Sequence, residues 1–361
     1  MRVPSILSYE DVLSETNERR HLLLGNGFSI ACRPDLFRYE KLFDRARFSK
    51  LKRARKAFDR LSTTNFEAVI RALRNFAFLA ELYAPDDEKA RSRAKDDADA
   101  LRDVLVNAVA HSHPDRPHEI TRGEYLSCRK FLRDYNSVNT LNYDLLLYWT
   151  LMQDELGDKE IPCDDGFRKP SADPTADYVS WDPDNSKSQN VRYLHGALHL
   201  YDTGIEMKKF TWIDTQIPLI DQIRKALQQG SYPVFVSEGT SDEKFERIRH
   251  NDYLCKMYRA FTELQGSLIV FGHSLDASDD HIFVDRIGRH GKTSRLYVSL
   301  LGDPSSKENR VIMRRAAALS QMRNARKPLE VKFFDEASVS VRKSYGRASR
   351  PPTRAKCHGR S

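Results

Sequence analysis

The alternation of short apolar runs with helical patterns is the feature that most constrains how this chain of 361 residues can fold. In the last third, strands are predicted over residues 267–271, 296–298 and 331–334, with helical spacing of apolar residues between them. Such an order connects parallel strands through crossover helices, which then cover both faces of the sheet. The sequence therefore predicts an α/β fold built on a doubly wound parallel sheet.

Four polar clusters follow directly after four predicted strands, which cover residues 22–24, 138–141, 191–194 and 267–271. The carboxyl ends of parallel strands meet at one edge of a sheet, where ligands bind in open α/β folds. We therefore expect the four clusters to lie together in one crevice. They are Gly25-Asn26-Gly27-Phe28-Ser29, Asn142-Tyr143-Asp144, His195-Gly196 and Gly272-His273-Ser274-Leu275-Asp276.

Each cluster has a functional and a structural interpretation. Glycines after the first strand suit a phosphate, although the third glycine of the dinucleotide fingerprint is missing. Asn142 and Asp144 could hold ribose hydroxyls or a ring amide, or could cap the helix that follows. His195 could be a base exposed in a cleft, or a histidine hydrogen-bonded in a turn. His195 and His199 have the spacing HxxxH, which binds zinc only when both histidines lie on a helix. Their strand-like context argues against a metal site.

Taken together, the clusters describe a dinucleotide site with a base beside it. Hydride transfer fits less well, because the first turn lacks the complete GxGxxG and no acidic ribose-binding residue follows about twenty positions later. The chemistry favours an enzyme that consumes the dinucleotide.

The remaining segments set the domain organisation. Residues 44–120 show helical spacing and a basic run, which predicts a helical insertion between the first and second strands. Residues 154–190 are rich in Asp, Pro, Ser and Lys, which predicts a loop or lid. We therefore expect one domain over residues 1–340, followed by a separate tail.

The charge lies mostly in that tail. The net charge is +8, but residues 341–361 hold seven basic groups and no acid, and the rest has 52 basic against 51 acidic residues. Such a tail is expected to be disordered, and it gives the only hint of nucleic-acid binding. The five cysteines show no CxxC pairing, so neither a disulfide framework nor a zinc site is expected. No apolar run could span a membrane and no signal peptide is recognised, so a cytoplasmic protein is expected.

The order of the four clusters resembles the sirtuin-like NAD-hydrolase domains of bacterial antiviral defence systems. The segment Pro34-Asp35-Leu36-Phe37-Arg38 is also similar to the loop that closes over nicotinamide in sirtuins. The resemblance spans about residues 20–300 and implies a Rossmann-like fold that binds NAD.

The resemblance also implies roles for individual residues. Gly25, Gly27 and Ser29 would hold the pyrophosphate, and Gly272 with Ser274 would bind the adenosine half. Asn142 would position the nicotinamide ribose or the attacking water, Asp144 would contact the nicotinamide side, and His195 would be the general base. The full set of predicted NAD-binding residues is Gly25, Asn26, Gly27, Phe28, Ser29, Phe37, Arg38, Gly272, Ser274 and Asp276.

Two departures from the sirtuin pattern refine the expected activity. No four-cysteine zinc module could form here, which favours cleavage of NAD to ADP-ribose and nicotinamide over protein deacylation. Asn26 stands where sirtuins usually have alanine. The alternative is a non-catalytic sensor that binds NAD or an ADP-ribose derivative and controls a partner. A hydrolase of this kind needs gating, by oligomerisation, by an activating partner protein, or by the 154–190 segment.

Overall fold

A computed structural model describes residues 4–341 of the chain, apart from short gaps. The gaps are 17–18, 34–35, 38, 50, 154–155, 158–159, 172, 185–187, 212–216, 230, 237–240, 277–282 and 325. Arg38 and the basic tail after residue 341, both of which figure in the sequence predictions, lie outside the described residues.

Eleven strands and twelve α-helices are described. The strands are β1 (Ile6–Leu7), β2 (Arg20–Leu24), β3 (Ser137–Thr140), β4 (Phe167–Arg168), β5 (Tyr178–Trp181), β6 (Val191–Tyr193), β7 (Leu200–Asp202), β8 (Met207–Phe210), β9 (Gln265–Phe271), β10 (Lys292–Leu300) and β11 (Glu330–Asp335). The helices are α1 (Tyr9–Glu15), α2 (Asn26–Cys32), α3 (Tyr39–Arg45), α4 (Lys52–Arg60), α5 (Phe66–Tyr83), α6 (Glu88–Ser112), α7 (Arg122–Leu132), α8 (Leu146–Leu151), α9 (Leu219–Gln228), α10 (Ser241–Arg249), α11 (Asp252–Thr262) and α12 (Lys307–Gln321).

The main sheet has seven strands in the order β1-β11-β10-β9-β2-β3-β6, and every neighbouring pair is parallel. With β1 set aside as an added edge strand, the spatial order of the other six, numbered along the chain, is 3-2-1-4-5-6. That is the order of the Rossmann fold. The predicted α/β class with a Rossmann-like, doubly wound parallel sheet is therefore confirmed.

The strand order reverses between β2 and β9, which pair directly in the middle of the sheet. Leu22, Leu23 and Leu24 of β2 are almost completely buried, as a central strand covered on both faces requires. In the register, Leu24 lies beside both Phe271 and Thr140. The ends of β2, β9 and β3 are therefore level, and the clusters that follow them start at the same edge.

A group of helices, α3 to α7, lies in the chain between α2 and β3. Helices α5 and α6 pack antiparallel, because Arg74 pairs with Asp99 at 2.7 Å and Glu81 pairs with Lys95 at 3.5 Å. Their base is held by a cluster of phenylalanine rings with centroids 4.9 to 6.3 Å apart. The cluster consists of Phe43, Phe48, Phe58 and Phe66.

The segment predicted as a loop or lid differs from that expectation. Within it, β4 and β5 form half of a four-stranded antiparallel sheet in the order β4-β5-β8-β7. Trp181 at the end of β5 is buried edge-on against Tyr253 of α11, with centroids 5.4 Å apart. Two strands of two and four residues are too short to show alternation above their polar surroundings, so the sequence pattern did not reveal them. In the described part of the chain, no helix is long and apolar enough to cross a membrane.

Candidate functional site

A cavity of about 700 Å³ opens at the carboxyl edge of the main sheet. Its lining comes from the segments that follow six parallel strands and from the helical insertion. The residues are Asn26, Gly27, Ile30, Phe37, Leu42, Asn65, Leu105, Val109, Leu141, Asn142, Tyr143, Asp144, His195, Gly272, His273, Ser274, Ser299, Leu301, Asp303, Ser306, Glu308, Asn309, Ile312 and Glu336. All four predicted clusters therefore contribute to one cavity.

Two glycine loops touch each other at the point where the strand order reverses. A Cβ atom on Gly27 would lie only 2.4 Å from the Cα of Gly272, which itself has a φ of +67°. Only glycine fits in both positions. The amide of Gly25 donates to the carbonyl of Phe271 at 2.9 Å, and the amide of Gly27 donates to the carbonyl of Gly272 at 2.8 Å. These amides thus join the loops of β2 and β9 to each other.

Asn142 is held by a chain of buried hydrogen bonds. Its Nδ2 donates to Ser29 Oγ at 3.0 Å, and the Ser29 hydroxyl donates in turn to Asp144 Oδ2. The other oxygen of Asp144 accepts the amide of Leu146 at 2.8 Å, at the start of α8. The Oδ1 of Asn142 accepts no hydrogen bond from the described residues, and the side chain lines the cavity. The network therefore fixes Asn142 with its acceptor oxygen available to a ligand.

Asp144 was predicted to contact the nicotinamide side, and it lies in the cavity wall beside Asn142. Both of its oxygens accept hydrogen bonds from the protein, and burial raises the pKa of the carboxyl above its ordinary value. Its structural work is to orient Ser29, and through Ser29 the amide of Asn142. We accordingly treat Asp144 as a positioning residue.

His195 lies in a tight turn after β6. The following Gly196 has a φ of +79°, and a Cβ there would lie 2.0 Å from the carbonyl oxygen of Val234. His195 is 3% exposed, and its imidazole lies near two aromatic rings. The ring of Tyr143 is nearly parallel to it, with centroids 6.1 Å apart, and Phe283 lies at 5.3 Å. These contacts fix the orientation of the imidazole at the cavity wall.

The opposite end of the cavity contains a polar pair that the sequence predictions did not include. The amide of Gly272 donates to Ser299 Oγ at 2.9 Å, and the Ser299 hydroxyl donates to Glu336 Oε2 at 2.7 Å. Burial raises the pKa of the Glu336 carboxyl. A signal was available, because Ser299 and Glu336 lie just past the predicted strands over 296–298 and 331–334. The strand-end rule that found the four clusters applies equally there.

The helical insertion also contributes in a way that the sequence did not reveal. Asn65, just before α5, and Leu105 and Val109 of α6 line the cavity. Beyond them His113 is buried, and its Nε2 accepts the amide of Leu145 at 3.1 Å. Burial lowers the pKa of His113 to about 3. A single histidine in a proline-rich segment gives no sequence signal for such a contact.

The predicted NAD-binding residues divide into two groups. Phe28 and Ser29 are buried on the inner face of α2 and do not line the cavity, so the structure does not place Phe28 at the predicted NAD site or the Ser29 side chain at a pyrophosphate. Gly25 does not line it either, and Asp276 pairs with Arg315 at 2.5 Å. The predicted residues that do line the cavity are Asn26, Gly27, Phe37, Asn142, Asp144, His195, Gly272 and Ser274.

The charges of the lining restrict which ligands fit. Among the described lining residues there are four carboxylates, Asp144, Asp303, Glu308 and Glu336, and neither lysine nor arginine. No group of three or more His, Cys, Asp or Glu side chains in the described ranges is arranged to hold a metal ion. The lining offers oxygen acceptors to hydroxyl or amide groups of a ligand.

The chain was compared with family models, with curated proteins and with solved structures. A family model described as "Domain of unknown function (DUF4917)" matches residues 22–342. A search of curated proteins gives no match. Among solved structures, the chain is similar to one titled "Structure of Sir2Tm bound to a propionylated peptide", with 13% sequence identity and a TM-score of 0.29, over 87% of this chain and 96% of the other. Similarity at that level supports no inference, so fold and site rest on the geometry described above.

Proposed function

This chain belongs to the DUF4917 family, and we propose that it is an NAD glycohydrolase that cleaves NAD to ADP-ribose and nicotinamide. The observation that carries the proposal is the cavity at the reversal point of a Rossmann-ordered sheet, with Asn142 and His195 in one wall. In such sheets dinucleotides bind across that crevice. The order of the sequence clusters, which resembles sirtuin-like defence domains, supports a gated role in bacterial antiviral defence.

The size and division of the cavity suit a dinucleotide. Ligand sites commonly enclose about 300–1,000 Å³, and the 700 Å³ cavity falls in that range. The touching loops of Gly27 and Gly272 lie between the His195 end and the Glu336 end. We assign the His195 end to nicotinamide and its ribose, and the Glu336 end to adenosine.

Hydrolysis at the nicotinamide end needs a base that takes up a proton and a hydrogen-bond acceptor that orients the water. Water attacks the ribose anomeric carbon as its bond to the nicotinamide nitrogen breaks, and the bonding electron pair neutralises the positive ring. The carbon passes through an oxocarbenium-like state, which oriented dipoles stabilise. In our proposal Asn142 Oδ1 orients the water or a ribose hydroxyl, and His195 accepts the proton that water releases.

The adenosine end suits a ribose with free hydroxyls. A carboxylate such as Glu336 accepts hydrogen bonds from hydroxyl donors, and the Ser299 bond fixes its orientation. A 2′-phosphate would instead add negative charge beside Glu336 and Asp303, without a cation among the described lining residues. The site should therefore prefer NAD to NADP.

The test is to incubate the purified full chain with NAD and follow nicotinamide release by chromatography. We expect release by the wild type and its loss in His195→Ala. The matched control is His118→Ala, because His118 is exposed and does not line the cavity. Calorimetry with NAD and a thermal unfolding curve for each variant separate loss of chemistry from loss of binding or fold.

A binding sensor is the second candidate, and the deep burial of His195 favours it. Only 3% of that residue is exposed, which limits the access of bulk water that a proton acceptor needs. NAD binding by the wild type without nicotinamide release would support the sensor. Neither binding nor release would contradict both functions.

A further inference from the structure

The outer face of α5 carries a large apolar surface that nothing in the described chain covers. Over residues 76–83, five large hydrophobic side chains are between 48% and 85% exposed. The described chain has eleven such exposed side chains, so nearly half fall within two turns of one helix. The five are Phe76, Phe78, Leu79, Leu82 and Tyr83, and we call them the α5 patch.

The patch exists because α5 uses only its other face for the core. Val69, Ile70, Ala77 and Ala80 are buried, and the Arg74–Asp99 ion pair fixes that side of the helix against α6. A helix inside a monomer normally turns charged residues to solvent on its outer face. Here that face is aromatic, which is the composition of an interface centre.

The size of the patch is also that of an interface centre. Fully exposed aromatic side chains present roughly 150–250 Å² each, so these exposures add up to about 600 Å². Monomers rarely expose apolar patches above a few hundred Å². A stable interface buries about 800 Å² per partner, which the patch and a charged rim around it would supply.

The charges beside the patch identify the partner. Arg71 lies two turns before Phe78 on the same face, because the spacing is seven residues. The turn at the other end carries Asp86, Asp87 and Glu88, all exposed. Leu79 is midway in sequence between Arg71 and Asp87. The same acidic turn also carries Lys89 and Arg91, whose guanidinium donates to the carbonyls of Ala84 and Pro85. That end is therefore acidic by one net charge, whereas Arg71 makes the other end basic.

We propose that the α5 patch docks on the α5 patch of a second copy of this chain, with the two helices antiparallel about a two-fold axis near Leu79. In a two-fold contact, residue i meets residue j and j meets i. The antiparallel arrangement places Arg71 of each copy opposite the acidic turn of the other. At the other end of this hairpin, Asn65 just before α5 and Leu105 and Val109 of α6 line the cavity, so the dimer contact and the cavity share one helical hairpin.

The experiment is sedimentation velocity of the full chain at concentrations up to about 100 μM. The wild type should be a dimer, and Phe78→Glu or Leu82→Glu should raise its dissociation constant at least about a hundredfold, because each change buries a charge in the interface centre. The matched control is Ile205→Glu. Ile205 is 96% exposed at the turn between β7 and β8, so this charge should leave the dimer intact.

Charge reversal identifies the partner as a second copy. Arg71→Glu should weaken the dimer about tenfold, and adding Asp86→Arg should restore most of that loss, because each copy then presents exchanged charges to the other. Circular dichroism of each variant verifies the fold. A monomeric wild type, or a dimer that persists in Leu82→Glu, would overturn the proposal, as would failure of the double reversal to recover any affinity.

Discussion

The two ends of the cavity are built differently. At the His195 end, Asn142, Asp144 and Ser29 form a chain of hydrogen bonds that is at most 9% exposed, and aromatic rings hold the imidazole. At the Glu336 end, one buried Ser–Glu pair lies among exposed residues such as Ser274, Asp303 and Glu308. Buried hydrogen-bonded networks fix positions to within fractions of an ångström, whereas an exposed acidic wall selects by charge.

Because the two ends are built differently, catalysis and substrate selection should depend on different residues. Changes at the His195 end should act mainly on kcat, because they move groups that the proposed mechanism places at the reacting bond. Changes at the Glu336 end should act mainly on KM and on the choice between dinucleotides. Three predictions test that separation, and a fourth concerns the stability of the His195 end.

The largest effect is expected for Asn142→Ala. Removal of Oδ1 takes away the acceptor that orients the nucleophile, and kcat for nicotinamide release should fall about a hundredfold or more. KM should change little. Steady-state rates with NAD measure both, and Asn107→Ala on α6 is the control, because its amide bonds only to the Asp103 carbonyl. A kcat within about threefold of the wild type would remove Asn142 from the mechanism.

The next effect concerns stability at the His195 end and its dependence on pH. His113 has a folded pKa of about 3 against 6.5 when unfolded. Its contribution is complete above pH 6.5 and is lost as the pH falls towards 3, because the unfolded chain binds the proton first. At pH 5 the loss is about 2 kcal/mol.

Urea unfolding at pH 7 and pH 5 measures that loss, and His113→Gln should reduce it. Glutamine keeps an acceptor for the Leu145 amide but does not titrate. The remaining pH dependence includes His21, whose pKa burial lowers to about 4. An equal loss in His113→Gln and wild type would contradict the assignment.

A smaller effect is expected for Ser29→Ala. The change leaves Asn142 Nδ2 without its acceptor and Asp144 Oδ2 without its donor, so kcat should fall about tenfold through poorer orientation of Asn142. In the Asn142→Ala background the same change should lower kcat no further. Additive losses in the double variant would show that Ser29 acts independently of Asn142.

The smallest effect on NAD itself is expected for Glu336→Gln. The glutamine still accepts from Ser299, so kcat should hold while KM for NAD rises severalfold. The ratio of kcat/KM for NAD to that for NADP should fall about tenfold, because a charge next to the 2′ position is removed. Glu308→Gln, at an exposed lining residue, should change that ratio less. An unchanged NADP ratio in Glu336→Gln would separate this residue from the ribose.

The sequence anticipated the sheet better than it anticipated the cavity. Apolar strands such as 20–24 and 265–271 are visible because burial on both faces demands continuous apolar runs. The polar residues after them are also visible, because each apolar run ends where they begin. The antiparallel sheet is not visible, because β4, β5, β7 and β8 are short, mix polar with apolar residues, and have no helix between them to mark an alternation of strands and helices.

Within the cavity, the sequence identified positions but not orientations. Asn142, His195, Gly27 and Gly272 do line one cavity, as the strand-end rule predicts. Ser29 was expected to face a phosphate, but it faces inward, because the direction of a short helix depends on what packs against it. That packing involves Asp144, which is 115 residues away.

Hydrophobic periodicity and the rules of strand connection are local, so the sequence was enough to predict the parallel sheet and the edge at which the cavity lies. Three contacts could not be predicted in that way: Asp144 with Asn142 through Ser29, Ser299 with Glu336, and His113 with Leu145. Those contacts join segments from 32 to 115 residues apart. Their geometry follows from the close packing of whole elements, which no local pattern encodes.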